Sequence, residues 1–333
     1  MNIFELTRQL IDLESITGHE REVGLFVRDI LEKDGFEVTA QPIDETKFNL
    51  FATLGTPTVV LSTHLDTVPP FFSSSETDEY IFGRGACDTK GIIASMIFAA
   101  RELKSSGIKD LGLLFVTGEE SGSDGARLAN SNAPASVKYL INGEPTENKL
   151  ALGSKGALRL EVTTTGKRGH SAYPHVGESA IEKLLDILND VRALALPEHP
   201  ILGKTTCNIG TISGGIQANV IPDSGRTELM LRTVTDTGAV RDLIAKTVGA
   251  RGTVKTNFEC EPLLLEAVPG FETGVMAFTT DIPLLDNWGK PFLLGPGSIL
   301  DAHTEAEKIS KRELTESVDL YVSLTKKLLV EKN

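Results

Sequence analysis

A chain of 333 residues, 40% hydrophobic and 24% charged, carries enough apolar side chain for one large core or two ordinary ones, and a balance this close to the globular average indicates neither a disordered chain nor a membrane protein. The formal net charge of -13, with no basic stripe in any segment, argues against nucleic acid as a partner, because phosphate contacts need clustered Lys and Arg. No apolar run approaches the roughly 20 residues of a membrane span, and Cys87, Cys207 and Cys260 lack the paired spacing of a disulfide framework or a zinc ribbon.

In chain order, residues 1–10 read as the start of an amphipathic helix without the basic and apolar regions of a signal peptide, so a cytoplasmic location is expected. Apolar runs at 58–62, 111–116 and 137–141 read as buried parallel strands. Between the first two, Ile92, Ile93, Met96, Ile97, Ala100 and Leu103 recur at helical spacing and predict a helix over about 90–103. Strands alternating with helices predict a mainly parallel α/β sheet flanked by helices. In such sheets ligands gather beyond the carboxyl ends of the strands. His64, Asp66, Glu119, Glu120 and Glu144 all follow such an end.

Beyond Gly153 the pattern changes. Residues 158–164 alternate like a half-buried antiparallel strand, 180–194 read as a helix, 205–212 and 227–233 as strands, 239–248 as a helix and 254–258 as a strand. This βαββαβ order is that of a small ferredoxin-like domain. An apolar run at 291–294, then His303, then an amphipathic helix over 315–329 read as a return to the first domain. Residues 156–263 are therefore expected to form an inserted domain, with 1–155 and 264–333 together forming the catalytic one.

Acids cluster at His64-Leu65-Asp66, at Asp88 within a glycine-rich stretch, and at Glu119-Glu120; with Glu144 and His303 they form a set that suits two divalent cations. His64 and Glu144 would serve one ion and Glu120 and His303 the other, with Asp88 giving one oxygen to each. Three ligating carboxylates and one hydroxide balance the charge of two such cations, so the set can be buried without a large solvation cost. If the Glu119-Glu120 segment is extended, adjacent side chains point to opposite sides. Glu120 then ligates, and Glu119 acts as general base and then acid. Asp66 is expected to accept the second imidazole N–H of His64 and set its tautomer. Singly, each residue has a plainer reading: His64 as a core histidine, Asp88 as the N-cap of the helix after Lys90, Glu119-Glu120 as a solvated pair.

At this point the chain resembles the zinc-dependent peptidase and deacylase family that includes acetylornithine deacetylase, succinyl-diaminopimelate desuccinylase, aminoacylase and glutamate carboxypeptidase. The resemblance rests on Ser62-Thr63-His64-Leu65-Asp66-Thr67-Val68-Pro69, Gly83-Arg84-Gly85-Ala86-Cys87-Asp88-Thr89-Lys90-Gly91, Thr117-Gly118-Glu119-Glu120-Ser121-Gly122 and Gly143-Glu144-Pro145-Thr146. It implies a zinc-exopeptidase-like sheet with an inserted lid used for dimerisation. It also implies two metal ions, zinc first with cobalt or manganese as alternatives. By the same resemblance His170 stabilises an oxyanion in the partner's active site, and Asn219 and Arg232 bind the substrate carboxylate. Two departures stand out: the stretch from Pro70 to Gly83 is shorter than in many relatives, and Ala306 stands where Asn or Asp is common.

The expected activity is removal of the acyl group from an N-acyl amino acid, with acetylornithine deacetylase as the first choice of substrate class. A dipeptidase or carboxypeptidase of the same family is the alternative. A metal- or peptide-binding protein without catalysis is the alternative from another class, and an intact Glu119 speaks against it.

Overall fold

The computed structural model describes residues 1–330, a mixed α/β chain with seven α-helices among the described residues. It divides into two compact units. Met1–Leu152, Leu265–Gly274 and the residues from Thr280 onward form the first, Gly153–Leu264 and Val275–Thr279 the second.

The first unit is built on a six-stranded sheet. Its order is Glu37–Pro42, Phe48–Leu54, Leu111–Val116, Val59–His64, Tyr139–Asn142 and Lys290–Leu293. The last four are mutually parallel, and the first two add antiparallel on one side. Every residue of Val59–His64 and Leu111–Val116 is buried, because side chains leave both faces of the sheet into cores. On one face Leu61, Leu113, Ile141 and Phe292 pack with the helices Ile3–Asp12, Arg21–Lys33, Gly91–Ser105 and Lys311–Val330; on the other Val60, Leu114 and Leu140 meet Ala126, Ala129, Leu285 and Trp288. At the accepted scale of about 25 cal/mol per Å², burying one Leu contributes on the order of 2 kcal/mol, so this double core dominates the unit's stability.

The three buried strands and the helix after Lys90 follow their apolar patterns. The hairpin Glu37–Pro42 and Phe48–Leu54 and the helix Arg21–Lys33 add to the predicted elements. The outer hairpin strand is mostly exposed and ends in a proline, so it shows no apolar run. The helix does carry a legible stripe, Val23, Val27, Ile30 and Leu31, at helical spacing.

The second unit holds a four-stranded antiparallel sheet in the order Thr206–Gly214, Ser224–Thr233, Gly156–Thr165, Thr253–Cys260. The helices Ala180–Ala193 and Thr237–Val248 pack on it through Leu184, Ile187, Val240 and Ile244. Helix N-caps are supplied by Ser179 and Asp236, whose side chains accept from the N–H groups of Glu182 and Ala239. Residues 275–279 fall with this unit and not with the C-terminal flank, where residues 264–333 are expected to belong to the first domain. Lys155 donates its backbone N–H to the Met276 carbonyl at 2.9 Å, a pairing between residues 121 positions apart that no local pattern announces.

Candidate active site

His64, the Glu119-Glu120 pair and Glu144 leave the carboxyl ends of adjacent parallel strands, and His303 follows the Lys290–Leu293 strand on the same sheet. Asp88 enters on the segment before the helix Gly91–Ser105. That helix has Lys90 at its N-cap and no side-chain cap, so Asp88 does not cap it.

The Asp88 carboxylate instead stands between two imidazoles. Its Oδ1 lies 3.0 Å from His64 Nε2 and its Oδ2 3.2 Å from His303 Nε2. His303 Nε2 is also 2.9 Å from Glu120 Oε1, and donor atoms of His64, Asp88 and Glu120 lie within 4.8 Å of one another. Glu144 is buried beside them, and its Oε1 has no hydrogen-bond partner. His303 is half-exposed and takes a left-handed φ of 63°.

The Glu119-Glu120 segment is not extended. Gly118, at φ 77°, turns the chain into the short 3-10 helix Glu119–Ser121, and a Cβ there would run into Asp124. The turn is held by Asp66. Its carboxylate accepts the N–H groups of Glu119 and Glu120, both at 3.1 Å, and the Thr17 hydroxyl at 2.7 Å. This also changes Asp66's part. The nearest acceptor to His64 Nδ1 is the Asp66 main-chain carbonyl at 3.0 Å, while the carboxylate lies at 3.5 Å. The main chain thus fixes the tautomer that leaves His64 Nε2 toward Asp88, and the carboxylate anchors the acid-bearing turn.

Electrostatics follow from crowding acids in a buried place. Burial pushes Glu119 and Glu144 well above the usual carboxylate range, with Asp281 adding to the rise at Glu119. Burial likewise pushes Asp281 up to about 6. Burial also works against Asp88, but its hydrogen bonds to His303 and His64 hold it well below its ordinary value. For His64 burial favours the neutral ring, yet Asp66 and Asp88 raise it well above the usual value; Asp88 and then Glu120 push His303 up to about 10. Asp88, Glu119, Glu120, Glu144 and Asp281 thus converge on only two imidazoles. An acid excess of this kind, with an orphaned carboxylate oxygen and a nitrogen-and-oxygen donor set, fits a pair of divalent cations.

The remaining predicted residues lie in the second unit. His170, on the short strand Gly169–His170, pairs with Val220, and its Nδ1 accepts the Ala172 N–H at 3.1 Å, which leaves Nε2 as the outward donor. Asn219 is exposed beside it and accepts the Ser171 N–H through its carbonyl at 3.1 Å. Arg232 is half-buried near the C-terminal end of the Ser224–Thr233 strand. Within the unit the Ser171–Asn219 hydrogen bond and the His170–Val220 pairing bring His170 and Asn219 together.

Several residues around the site went unmarked in the sequence. Asp281 is buried with both carboxylate oxygens unpartnered and follows no recognisable spacing. Glu20 is buried and bridges the loops beneath the site, accepting Gly18 N–H at 2.9 Å and Gly118 N–H at 3.2 Å. Arg84 and Glu307 form a fully buried ion pair at 2.6 Å; Arg84 lies in the glycine-rich stretch four residues before Asp88 and Glu307 four residues after His303, so a charge flanking a ligand was the available signal.

Comparison with known proteins bears on this geometry. The model of peptidase family M20/M25/M40 matches residues 60–327. A peptidase M20 domain-containing protein of Schizosaccharomyces pombe is 38% identical over 96% of this chain and 83% of its own length. A probable carboxypeptidase of Aspergillus niger is 36% identical over 95% of this chain and 87% of its own. Among solved structures, the aminopeptidase PepT of Bacillus cereus superposes with a TM-score of 0.77 at 22% identity, covering 96% of each chain. The metallo-carboxypeptidase Sso-CP2 of Sulfolobus solfataricus gives 0.75 at 18% identity, covering 97% of this chain and 98% of its own. The YXEP protein of Bacillus subtilis, described as a dinuclear metal-binding peptidase, gives 0.73 at 17% identity, covering 97% of each chain. These structural likenesses concern the fold.

Proposed function

The chain belongs to peptidase family M20/M25/M40, whose members hydrolyse amide and peptide bonds, and on that basis we propose that it is a metal-dependent carboxypeptidase that also accepts dipeptides as its shortest substrates. The observation that carries the mechanism is the Asp88 carboxylate, with one oxygen facing each of two histidines from distant parts of the chain. The choice of carboxypeptidase is supported by the names of relatives 36% identical over 95% of the chain. An acetylornithine deacetylase-like activity, the first choice from sequence, finds no support among them, whereas the dipeptidase or carboxypeptidase alternative fits.

His64, Glu120, Glu144 and His303 would hold the two cations with Asp88 common to both, zinc being the first candidate and cobalt or manganese the alternatives. When bound, the cations supply Lewis acidity toward the peptide carbonyl and lower the pKa of water. Glu119 takes a proton from the attacking water and passes it to the departing amine nitrogen as the C–N bond breaks, ending as the carboxylate it began as. Its turn, pinned by the Asp66 carboxylate, keeps it beside the ligands without joining them.

In this reading the second unit is a lid, and two copies complete each site. His170 donates from Nε2 to the developing oxyanion, and Arg232 and Asn219 address the substrate carboxylate. His170 and Asn219 would arrive from the partner of a homodimer.

The test is a rate comparison on metal-loaded protein across blocked peptides with free C-termini, dipeptides, and N-acetyl and N-succinyl amino acids. Release of the C-terminal residue is expected to be the fastest reaction. Faster deacylation of N-acetylornithine than of any peptide would overturn the assignment.

A further inference from the structure

Resting on the two-cation reading above, we propose that Glu307 is a positioning residue that fixes the Asp88 carboxylate between His64 and His303, with Arg84 as its counter-charge. Glu307 is fully buried and accepts five hydrogen bonds from a single short segment, one of them from the Cys87 thiol to Oε1 at 3.6 Å. Its main-chain carbonyl accepts the Gly83 N–H at 3.0 Å. Its Oε1 accepts the N–H groups of Cys87 and Asp88, both at 3.2 Å, and its Oε2 accepts Arg84 Nη1 at 2.6 Å. Arg84 is anchored in turn, its Nε donating to the Pro70 carbonyl at 3.1 Å and its guanidinium lying 5.1 Å from the Phe72 ring.

Glu307 is also four residues beyond His303, and the strand that follows, Lys308–Ser310, pairs antiparallel with Tyr80–Phe82. One carboxylate thus ties the segment bearing Asp88 to the segment bearing His303, two stretches more than 200 residues apart in sequence. A buried ion pair contributes little net stability compared with an apolar pair of equal volume, so its presence calls for a reason other than stability. The reason offered by the geometry is orientation. The Asp88 N–H is aimed at Glu307, which leaves the Asp88 side chain to present one oxygen on each side. Neutralisation by Arg84 lets this be done without adding a further unbalanced negative charge beside five carboxyl groups.

Glutamine at 307 keeps the volume but has only one acceptor oxygen for two sets of donors. Either Arg84 or the Cys87 and Asp88 N–H groups would then face an amide NH₂. Lysine at 84 keeps the positive charge and leaves the Asp88 N–H contact intact. Zinc affinity and stoichiometry are to be measured by competition with a chromophoric chelator on wild-type protein, E307Q and R84K, alongside thermal melting of the metal-free chains. The expected result is a loss of zinc affinity of about 10- to 100-fold in E307Q, and affinity within about threefold of wild type in R84K even if R84K melts lower. Wild-type affinity in E307Q would overturn the inference, as would an equal loss in R84K. A chain that does not fold without the Glu307 carboxylate would overturn it as well, since the residue would then serve the fold at large. Failure of wild-type protein to bind zinc, cobalt or manganese would instead sink the two-cation reading itself.

Discussion

Asp88→Asn isolates the shared carboxylate with little change of shape. The amide keeps the volume and one oxygen but turns an NH₂ toward one of the imidazoles that now face Oδ1 at 3.0 Å and Oδ2 at 3.2 Å. Because one negative charge is shared between the His64 and His303 sides, its removal should weaken the binding of both cations together. A ligand that binds only the folded state at a hundred times its Kd stabilises by about 2.7 kcal/mol, so two sites contribute about 5 kcal/mol. For a domain the size of the first unit that corresponds to a rise in melting temperature of about 10 to 20 °C on adding zinc. If the substitution weakens each site about 100-fold, the same zinc concentration yields only about 0.4 kcal/mol per site, and the rise shrinks to about 2 to 3 °C. Scanning fluorimetry with and without zinc, paired with metal analysis after equilibrium dialysis, reads both quantities. A variant that still binds two ions per chain and shows the full thermal shift would refute the bridging role of Asp88.

Glu119→Gln should leave metal content unchanged while lowering kcat by about 10²- to 10⁴-fold, measured on the best peptide; an unchanged kcat would remove Glu119 from the proton path. Mixing Glu119→Gln chains with His170→Ala chains should restore up to about a quarter of wild-type activity, because mixed dimers contain one intact composite site. No recovery on subunit exchange would argue that each chain works alone. Glu20, pushed up to about 7 by burial and then by Asp66, predicts a pH effect of definite sign. The folded chain holds this proton more tightly than the unfolded one, so the group's contribution to stability is full below about pH 4.5 and is lost as pH rises through about 7. The melting-temperature advantage of wild type over Glu20→Gln should therefore shrink from pH 5 to 8 or so; a constant or growing difference would contradict it. Leu61→Ala, in the fully buried central strand, should cost about 2 to 5 kcal/mol in urea unfolding, and a cost below about 1 kcal/mol would mean that the two-faced core is looser than its burial indicates.

Much of this protein could be read before any coordinates. Three buried strands, the helix after Lys90 and the antiparallel pattern beyond Gly153 are periodicities, and periodicity is a local property that a sequence states openly. The ligand candidates were legible for the same reason, since four of the five sit within a few residues of a strand end or a glycine turn. What tertiary structure alone decided was every relation across distance. It turned Glu119 and Glu120 into a tight turn held by the Asp66 carboxylate, left the His64 tautomer to a main-chain carbonyl, and set Asp281 and Glu20 beneath the site. It also joined Glu307 to the Asp88 segment. A hydrogen bond between Asp88 and Glu307 depends on two chain segments meeting in space, and no pattern confined to either segment encodes that meeting.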